Sequence, residues 1–264
     1  MVRGRRMNFM TLRGRLIAGI SAAALTVSLV PAFAVPANAA VENSHRQENP
    51  ARQAKLSLPM EAGDRGRFVH VLQDRLQWLG YRISSRERTE GRLGRSTTAA
   101  VVAAQNKFFL PQTGTVDAKT WRLIKNVAGK VGVLPRVCRS EAKTLCIDKT
   151  AKVIRYVRNG KVDRTVHVRF GVRGLETRTG TFRIWFRWRE ATSGIGGPDV
   201  PRAPMPYALF FDGDIAVHYS PTFARTGYYP GGGSHGCVNV ADLRDSIYLF
   251  NQMPLRGLVH VYWS

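Results

Sequence analysis

Cys237 and two histidines are the residues whose types and spacing could do chemistry. His235 lies two residues before Cys237 in a glycine-rich segment, residues 229–239, and His218 lies further upstream. A cysteine is a strong nucleophile as the thiolate, and a nearby histidine can accept its proton. Gly236 allows backbone N–H groups to approach the negatively charged oxygen that develops in acyl transfer. The pattern therefore predicts a cysteine acyl-transfer site.

Two other interpretations of these residues are open. Cys237 could be a buried free cysteine beside a glycine-rich turn, or His218, His235 and Cys237 could be the zinc ligands of a hydrolase. The spacing of the three residues matches no common zinc motif. A helix predicted over residues 242–251 begins shortly after Cys237, and its N-terminal dipole would favour the thiolate. We therefore expect a catalytic cysteine with a lowered pKa, and neither a metal nor a cofactor.

The N-terminus predicts export. Five arginines precede residue 16, and no charged residue follows them until Glu42. Near its end the uncharged segment contains Ala37-Asn38-Ala39, a small-x-small pattern that signal peptidases accept. We expect residues 1–40 to be a cleaved signal peptide and the protein to act outside the cytoplasm, at the cell wall. The alternative is a membrane anchor, because the uncharged run just reaches the length that spans a bilayer.

The net charge indicates an anionic partner. The chain has 40 Lys and Arg against 18 Asp and Glu, a formal charge of +22. Removing the five arginines of the signal peptide leaves 35 basic residues against the same 18 acidic ones, so the mature protein would carry +17. Such a charge attracts polyanions. Because the chain contains no recognisable nucleic-acid-binding motif, we expect anionic cell-wall polymers as partners and no nucleic acid.

Three cysteines in an exported protein leave one without a disulfide partner. Cys138 and Cys146 are eight positions apart, a separation that a hairpin or a tight loop can bridge. We expect a disulfide between them, with two buried free thiols as the alternative. Cys237 would then be the free cysteine, which agrees with its interpretation as the nucleophile.

Two regions of the chain must position these residues. Residues 41–57 lack apolar periodicity and predict a flexible tether, and residues 129–136 predict a linker. Between them, residues 58–128 space their apolar residues in a helical pattern that predicts a compact bundle of three short helices. Residues 137–264 change to an alternating pattern and predict a mostly β, sandwich-like domain. The predicted fold class is therefore multidomain, with an α region followed by a β region.

The β region also contains local signals. Asn159-Gly160 and Asp212-Gly213 each lie between two apolar runs, which predicts a hairpin at both places. Residues 181–188 alternate throughout, which predicts a single two-faced strand.

Residues 58–128 resemble the peptidoglycan-binding domain family type 1. The matching positions are Leu72, Gln73, Leu76, Leu79, Gly80, Tyr81, Gly91, Arg92, Leu93, Gly94, Thr97, Ala100, Val101, Gln105, Gly114, Val116, Thr120, Trp121 and Leu123. The resemblance implies a small helical domain that contacts the glycan of peptidoglycan.

Residues 137–264 resemble the L,D-transpeptidase catalytic domain, the YkuD family. His218 is followed by fifteen residues and then by Ser234-His235-Gly236-Cys237-Val238-Asn239, which is similar to the family signature. Met205-Pro206-Tyr207 and the closing residues 261–264 are similar to the family as well. The implied roles are Cys237 as nucleophile, His218 as general base, His235 and Gly236 at the oxyanion, Ser234 and Asn239 as supports of the loop, and Met205, Tyr207 and Tyr219 as substrate contacts.

The resemblance also implies a reaction. Members of this family attack the amide between the diamino acid at the third position of a peptidoglycan stem peptide and the following D-alanine. They release D-alanine, hold the remainder as a thioester and transfer it to an amine on a neighbouring stem. Carbapenems acylate the same cysteine. Two alternatives are an L,D-carboxypeptidase, which would transfer the same thioester to water, and a wall-binding protein without catalytic activity.

Overall fold

The structure is a computed structural model that describes residues 56–194 and 202–264. The predicted signal peptide at residues 1–40 and nearly all of the predicted tether at residues 41–57 lie outside the described residues. Within the described ranges, no helix combines the length and the apolar character needed to cross a membrane.

The first region consists of helices around one apolar core. They are α1 (Arg67–Trp78), α2 (Ser85–Glu90), α3 (Arg95–Lys107) and α4 (Ala118–Ala128). Leu72 and Leu76 of α1, Val101 of α3 and Ile124 of α4 are fully buried in this core. The spacing of apolar residues therefore predicts three of these helices correctly, whereas α2 is additional to the predicted three-helix bundle.

Polar contacts hold α2, and they explain why apolar periodicity does not predict it. The side chain of Ser84 accepts a hydrogen bond from the N–H of Glu87 at 3.4 Å, which caps the start of α2. The buried carboxylate of Glu87 accepts the N–H groups of Ser96 and Thr97, both at 2.8 Å. These two N–H groups belong to the first turn of α3 and have no partner within that helix. Glu87 therefore joins the two helices through hydrogen bonds.

The second region is a nine-stranded sheet with two helices packed beside it. Its elements are β1 (Lys143–Asp148), β2 (Val153–Arg158), β3 (Lys161–Arg169), β4 (Gly180–Arg183), β5 (Phe186–Thr192), β6 (Pro204–Asp212), β7 (Ile215–Tyr219), α5 (Pro221–Thr226), β8 (Val238–Val240), α6 (Leu243–Gln252) and β9 (Leu258–Tyr262). The strand order is β4, β9, β1, β2, β3, β8, β7, β6, β5. The pairs β1 with β9 and β7 with β8 are parallel, and the other neighbours are antiparallel.

Strand β3 joins two halves of this sheet. Most of β3 pairs with β2, and its last residues, Val168 and Arg169, pair with β8. Buried residues of both halves share one apolar core, with Ile147 from one half packed in the same cluster as Leu209 and Val217 from the other. The sheet therefore curls around its own core, and the predicted fold class is confirmed.

Both predicted hairpins are confirmed. Asn159 and Gly160 have φ angles of 50° and 76° and connect β2 to β3, as the Asn-Gly pair predicts. Gly213 has a φ angle of 58° in the turn between β6 and β7.

The single strand predicted over residues 181–188 is wrong. The chain leaves one half of the sheet after β4 and enters the other half at β5. At this crossing, Ile184 is buried and its N–H donates to the carbonyl of Gly257 at 3.0 Å, whereas the next N–H, that of Trp185, donates to Phe210 at 3.0 Å. The alternating pattern continues through the crossing, so the change of partner strand has no signal in the sequence.

The predicted disulfide between Cys138 and Cys146 is confirmed. Cys138 lies in a 3₁₀ turn, Arg136–Arg139, and Cys146 lies in β1, with their Cα atoms 5.6 Å apart. Both are fully buried with Leu134 and Val157 in a small apolar cluster. The disulfide therefore fixes the entry of the chain into the sheet.

The helices pack on the sheet at a surface that we call the helix–sheet junction. Ala151 and Val153 of the β region are buried in the same apolar cluster as the helical core. The side chain of Arg155, 0% exposed, pairs with Asp148 at 2.9 Å and stacks on the ring of Trp78, 4.2 Å from its centroid. Apolar packing and a buried ion pair therefore hold the two regions together.

A second polar contact crosses the helix–sheet junction. The Nζ atom of Lys107, a residue 1% exposed, lies 2.9 Å from Nδ1 of His167. The ring of His167 in turn packs against Tyr81, with centroids 4.7 Å apart.

Candidate active site

The parallel pair of β7 and β8 positions the predicted catalytic residues. His218 of β7 lies opposite Asn239 of β8 in the register of this pair. Cys237 immediately precedes β8, and residues two positions apart on an extended segment face the same side of a sheet. Cys237, Asn239 and His218 therefore share one face, at the point where the two strands meet.

These three residues line a cavity of about 320 Å³. The other residues that line it are Arg169, Thr192, Ser193, Gly194, Ala203, Pro204, Met205, Phe210, Asp214, Ser220, Pro221, Thr222, Gly233, Ser234 and His235. The lining therefore combines the glycine-rich segment with described residues at the end of β5 and the start of β6.

Hydrogen bonds fix the protonation state of His218. Its Nδ1 atom lies 2.7 Å from the carbonyl oxygen of Tyr219, and because a carbonyl can only accept, Nδ1 carries the proton. The Nε2 atom then has a lone pair, which accepts the amide N–H of Asn239 at 3.1 Å. Burial lowers the pKa of His218 to about 4, although the hydrogen bond to the carbonyl of Tyr219 acts in the opposite direction and raises it. His218 is therefore a neutral imidazole with its basic nitrogen on the side of Asn239.

Cys237 is a protonated thiol in this environment. Burial raises the pKa of Cys237, while the N–H of Ala216, 3.5 Å from the sulfur, acts in the opposite direction. The nearby carboxylate of Asp214 also raises the pKa, and the thiol donates weakly to the carbonyl of Asp214 at 3.9 Å. A neutral thiol needs a base to become a nucleophile.

The predicted lowering of the Cys237 pKa by a helix dipole is wrong. The residues directly after Cys237 form β8, because they pair with β7 and β3. Helix α6 begins only at Leu243, where the carboxylate of Asp242 accepts the N–H groups of Arg244 and Asp245. Three residues of strand span about 10 Å, which moves the helix N-terminus beyond the range of its dipole effect.

Ser234 and Gly236 shape the turn before the cysteine. The hydroxyl of Ser234 donates to the carbonyl of Cys237 at 2.6 Å and accepts the N–H of Gly236 at 3.2 Å. Gly236 has a φ angle of 114°, a conformation that side-chain-bearing residues rarely adopt. Its carbonyl accepts the hydroxyl of Thr177 at 2.6 Å. The N–H of Gly236 is therefore directed towards Ser234. His235, the residue between them, is exposed and lines the cavity.

The three predicted substrate contacts have different environments. Met205 is buried and lines the cavity. The ring of Tyr207 instead packs edge-on against Phe250 of α6, with centroids 5.7 Å apart, as part of the apolar core. Tyr219 is adjacent to the cavity through its carbonyl, which holds His218. The substrate contacts of the Tyr207 and Tyr219 side chains stay predictions, and the structure adds a packing contact for Tyr207 and a backbone contact with His218 for Tyr219.

Arg169 is a cavity residue that the sequence analysis missed. It ends β3, is 6% exposed and lines the cavity with Cys237. An arginine at the end of an alternating strand is ordinarily a solvated residue, so the sequence carries no signal of its burial.

The zinc interpretation needs a cluster of metal ligands. Residues 56–194 and 202–264 contain no group of three or more His, Cys, Asp or Glu arranged to hold a metal ion.

Comparison with protein families finds two matches in the chain. Residues 142–261 match the L,D-transpeptidase catalytic domain, YkuD. Residues 65–124 match the putative peptidoglycan binding domain. No curated protein matches the chain.

Several solved structures are similar to this chain. An L,D-transpeptidase from Xylanimonas cellulosilytica is 25% identical, covers 79% of this chain and 100% of its own, and has a TM-score of 0.42. An L,D-transpeptidase from Stackebrandtia nassauensis is 22% identical, covers 79% of this chain and 97% of its own, and has a TM-score of 0.49. L,D-transpeptidase 3 from Mycobacterium tuberculosis, in complex with a faropenem-derived adduct, is 19% identical, covers 46% of this chain and 60% of its own, and has a TM-score of 0.40.

Proposed function

Because the chain combines an L,D-transpeptidase catalytic domain with a putative peptidoglycan-binding domain, we propose that it is an exported enzyme of the cell wall. The reaction is the formation of cross-links between the third residues of neighbouring peptidoglycan stem peptides. It proceeds through a thioester on Cys237, with release of the terminal D-alanine. The chemical class is a cysteine acyltransferase.

One observation carries this proposal. A free thiol and a neutral imidazole lie on the same face of two adjacent parallel strands and line the same cavity. The imidazole has its proton on Nδ1 and a lone pair on Nε2, the arrangement that a general base needs.

The first half of the reaction forms the thioester. Nε2 of His218 takes the thiol proton of Cys237 as the sulfur attacks the carbonyl carbon of the third residue. The carbonyl oxygen becomes negatively charged, and backbone N–H groups of the 235–237 turn other than that of Gly236, which donates to Ser234, stabilise it. When the C–N bond breaks, the nitrogen of D-alanine takes the proton from His218 and leaves. The carbonyl of Tyr219 stabilises the transient imidazolium through Nδ1.

The second half transfers the acyl group. An amine of a neighbouring stem attacks the thioester carbonyl and loses a proton to His218. The sulfur leaves as the thiolate and recovers that proton, which regenerates the neutral thiol and imidazole. Since burial raises the pKa of Cys237, proton transfer accompanies each attack and no stable thiolate is needed.

Mass spectrometry of the protein incubated with disaccharide-tetrapeptide tests the proposal. We expect loss of D-alanine, an acyl adduct on Cys237 and a cross-linked dimer. Loss of D-alanine without a dimer would indicate an L,D-carboxypeptidase. Unchanged tetrapeptide, with identical wall binding by the parent and by Cys237→Ala, would indicate a wall-binding protein without catalytic activity. A carbapenem should form a covalent adduct with the parent and none with Cys237→Ala.

A further inference from the structure

Exposed aromatic residues lie on β5 and directly before it, and the proposed reaction does not use them. Trp185, Phe186 and Trp188 fall within four positions and are 57%, 43% and 48% exposed. Strand β5 is at the edge of the sheet and, among the described strands, pairs only with β6. A cluster of exposed apolar rings is unfavourable in water, so its presence on a folded protein indicates a ligand or a partner.

These residues form one surface with Phe210 of β6, and we call the four the aromatic surface. The ring of Phe186 stacks on that of Trp185, with centroids 5.6 Å apart and planes inclined by 25°. The same ring lies 6.3 Å from Trp188 and 5.8 Å from Phe210. The indole N–H of Trp185 donates to the carbonyl of Gly213 at 3.0 Å, which holds this ring in place. The rings are therefore positioned before a ligand arrives, which lowers the entropic cost of binding.

A row of paired residues connects the aromatic surface to the nucleophile. Phe186 pairs with Phe210 across β5 and β6, and Phe210 pairs with Ala216 across β6 and β7. The N–H of Ala216 lies 3.5 Å from the sulfur of Cys237. Residues paired directly across neighbouring strands face the same side of a sheet, and Phe210 also lines the catalytic cavity. Phe186 and Cys237 therefore lie on one face, three strand spacings or about 14 Å apart.

We propose that the aromatic surface binds a sugar ring of the glycan strand to which the reacting stem peptide is attached, an assignment that rests on the proposed function. The C–H groups on the face of a pyranose ring are apolar and pack on flat aromatic rings, while the hydroxyls at its edge stay in water. The contact needs no charge on the sugar, whose carboxylate forms the amide bond to the stem.

The length of the stem fits this assignment. Three stem residues span at most about 10 Å when extended. When the third residue is held at Cys237, the stem and the sugar ring joined to it therefore reach Phe186. Because the row of paired residues ends at the nucleophile, its position favours a part of the substrate over a separate partner.

Binding to the full chain with the substitution Cys237→Ala tests this inference apart from catalysis. Isothermal titration with disaccharide-tetrapeptide and with free tetrapeptide gives the contribution of the sugars to the Kd. We expect the sugars to improve the Kd about tenfold, and Trp188→Ala or Phe186→Ala to abolish this advantage. Trp188→Phe keeps a flat ring and should retain most of it. The matched control is Trp263→Ala, because Trp263 is 64% exposed and its ring contacts Lys149 outside the aromatic surface, so the advantage should remain complete.

The outcomes separate sugar binding from the proposed reaction. If the sugars add nothing to binding, or if the alanine variants melt like the parent and retain the full advantage, the aromatic surface is not a sugar site. If Trp188→Ala weakens binding to anionic phospholipid vesicles and leaves the sugar advantage intact, the surface is a membrane contact and the inference is wrong. If the protein with Cys237 intact shows no turnover while the sugar advantage depends on Trp188 and Phe186, the proposed reaction fails and the sugar site stands.

Discussion

The catalytic cavity and the helix–sheet junction each contain a buried imidazole, and the two imidazoles meet different partners. His218 donates from Nδ1 to the carbonyl of Tyr219 and keeps a lone pair on Nε2, which accepts the amide N–H of Asn239. His167 contacts the amine of Lys107 through Nδ1. Burial lowers the pKa of both histidines, and for His167 the charge of Lys107 lowers it further.

The two histidines show that burial by itself does not make an imidazole a catalytic base. Desolvation alone gives a neutral imidazole in both places. At the junction, an amine occupies the lone pair of His167, and the contact lies between packed elements. In the cavity, a neutral amide N–H contacts the lone pair of His218, and a thiol lies on the same face of the sheet. The group that contacts the lone pair of each imidazole, the amide of Asn239 or the amine of Lys107, therefore distinguishes a base from a packing residue.

The largest expected difference between these regions is in activity. His218→Gln retains a polar side chain but cannot take a proton, so kcat for D-alanine release should fall by a factor of about 10²–10⁴. His167→Gln should keep kcat within about twofold, because His167 does not line the catalytic cavity. Release of D-alanine from disaccharide-tetrapeptide measures both. Equal losses in the two variants would remove the distinction.

Residues that are close in sequence were predictable, and residues joined by packing were not. Cys237, Ser234 and Asn239 lie in one short run that resembles a family signature, and all three line the same cavity. The contact between Lys107 and His167 spans 60 positions, and the burial of Arg169 depends on strands from both halves of the sheet. Such contacts exist only after tertiary folding, which a local pattern does not describe.

The predicted helix dipole at Cys237 failed for the same reason. Helix α6 was predicted within a residue of its observed start, but the three residues before its capping region belong to a strand. Val238–Val240 form β8 because both neighbouring strands offer hydrogen-bonding partners. The apolar pattern therefore located helix α6, whereas strand pairing decided which element lies next to the sulfur.

The second largest effect should be on the stability of the junction. Asp148→Ala leaves the fully buried guanidinium of Arg155 without its anion, which should lower the free energy of unfolding by about 3–5 kcal/mol. Arg158→Ala breaks the pair with Asp163, in which the arginine is 54% exposed, and should cost less than about 1 kcal/mol. Urea unfolding compares the two. Similar losses would mean that the buried pair does not hold the junction.

The third prediction concerns acid and uses His218. Its pKa is about 4 in the folded protein and about 6.5 in the unfolded chain, so the unfolded chain binds more protons between these values. Stability from this residue is complete above pH 6.5 and is lost as the pH falls towards 4. Between pH 7 and pH 5 the loss should be about 2 kcal/mol.

The variant His218→Gln isolates this contribution. Urea unfolding of the parent at pH 7 and pH 5 includes all titrating groups, and the same measurement on the variant lacks only this histidine. The parent should therefore lose about 2 kcal/mol more than the variant. An identical loss in both proteins would show that His218 is not desolvated as the structure indicates.

The smallest effect should come from Asn239, the group that occupies the lone pair of His218. Its amide N–H binds the neutral form of the imidazole and so opposes protonation. Asn239→Ala should raise the pKa of His218, and the acid limb of the kcat/KM profile should move to higher pH by up to about one unit. Asn239→Asp should move the limb further in the same direction, because a carboxylate beside Nε2 favours the imidazolium. Profiles between pH 3.5 and 7 measure both shifts. Both substitutions change the surroundings of Nε2. An acid limb that stays in place in both variants would therefore mean that a group other than His218 controls it.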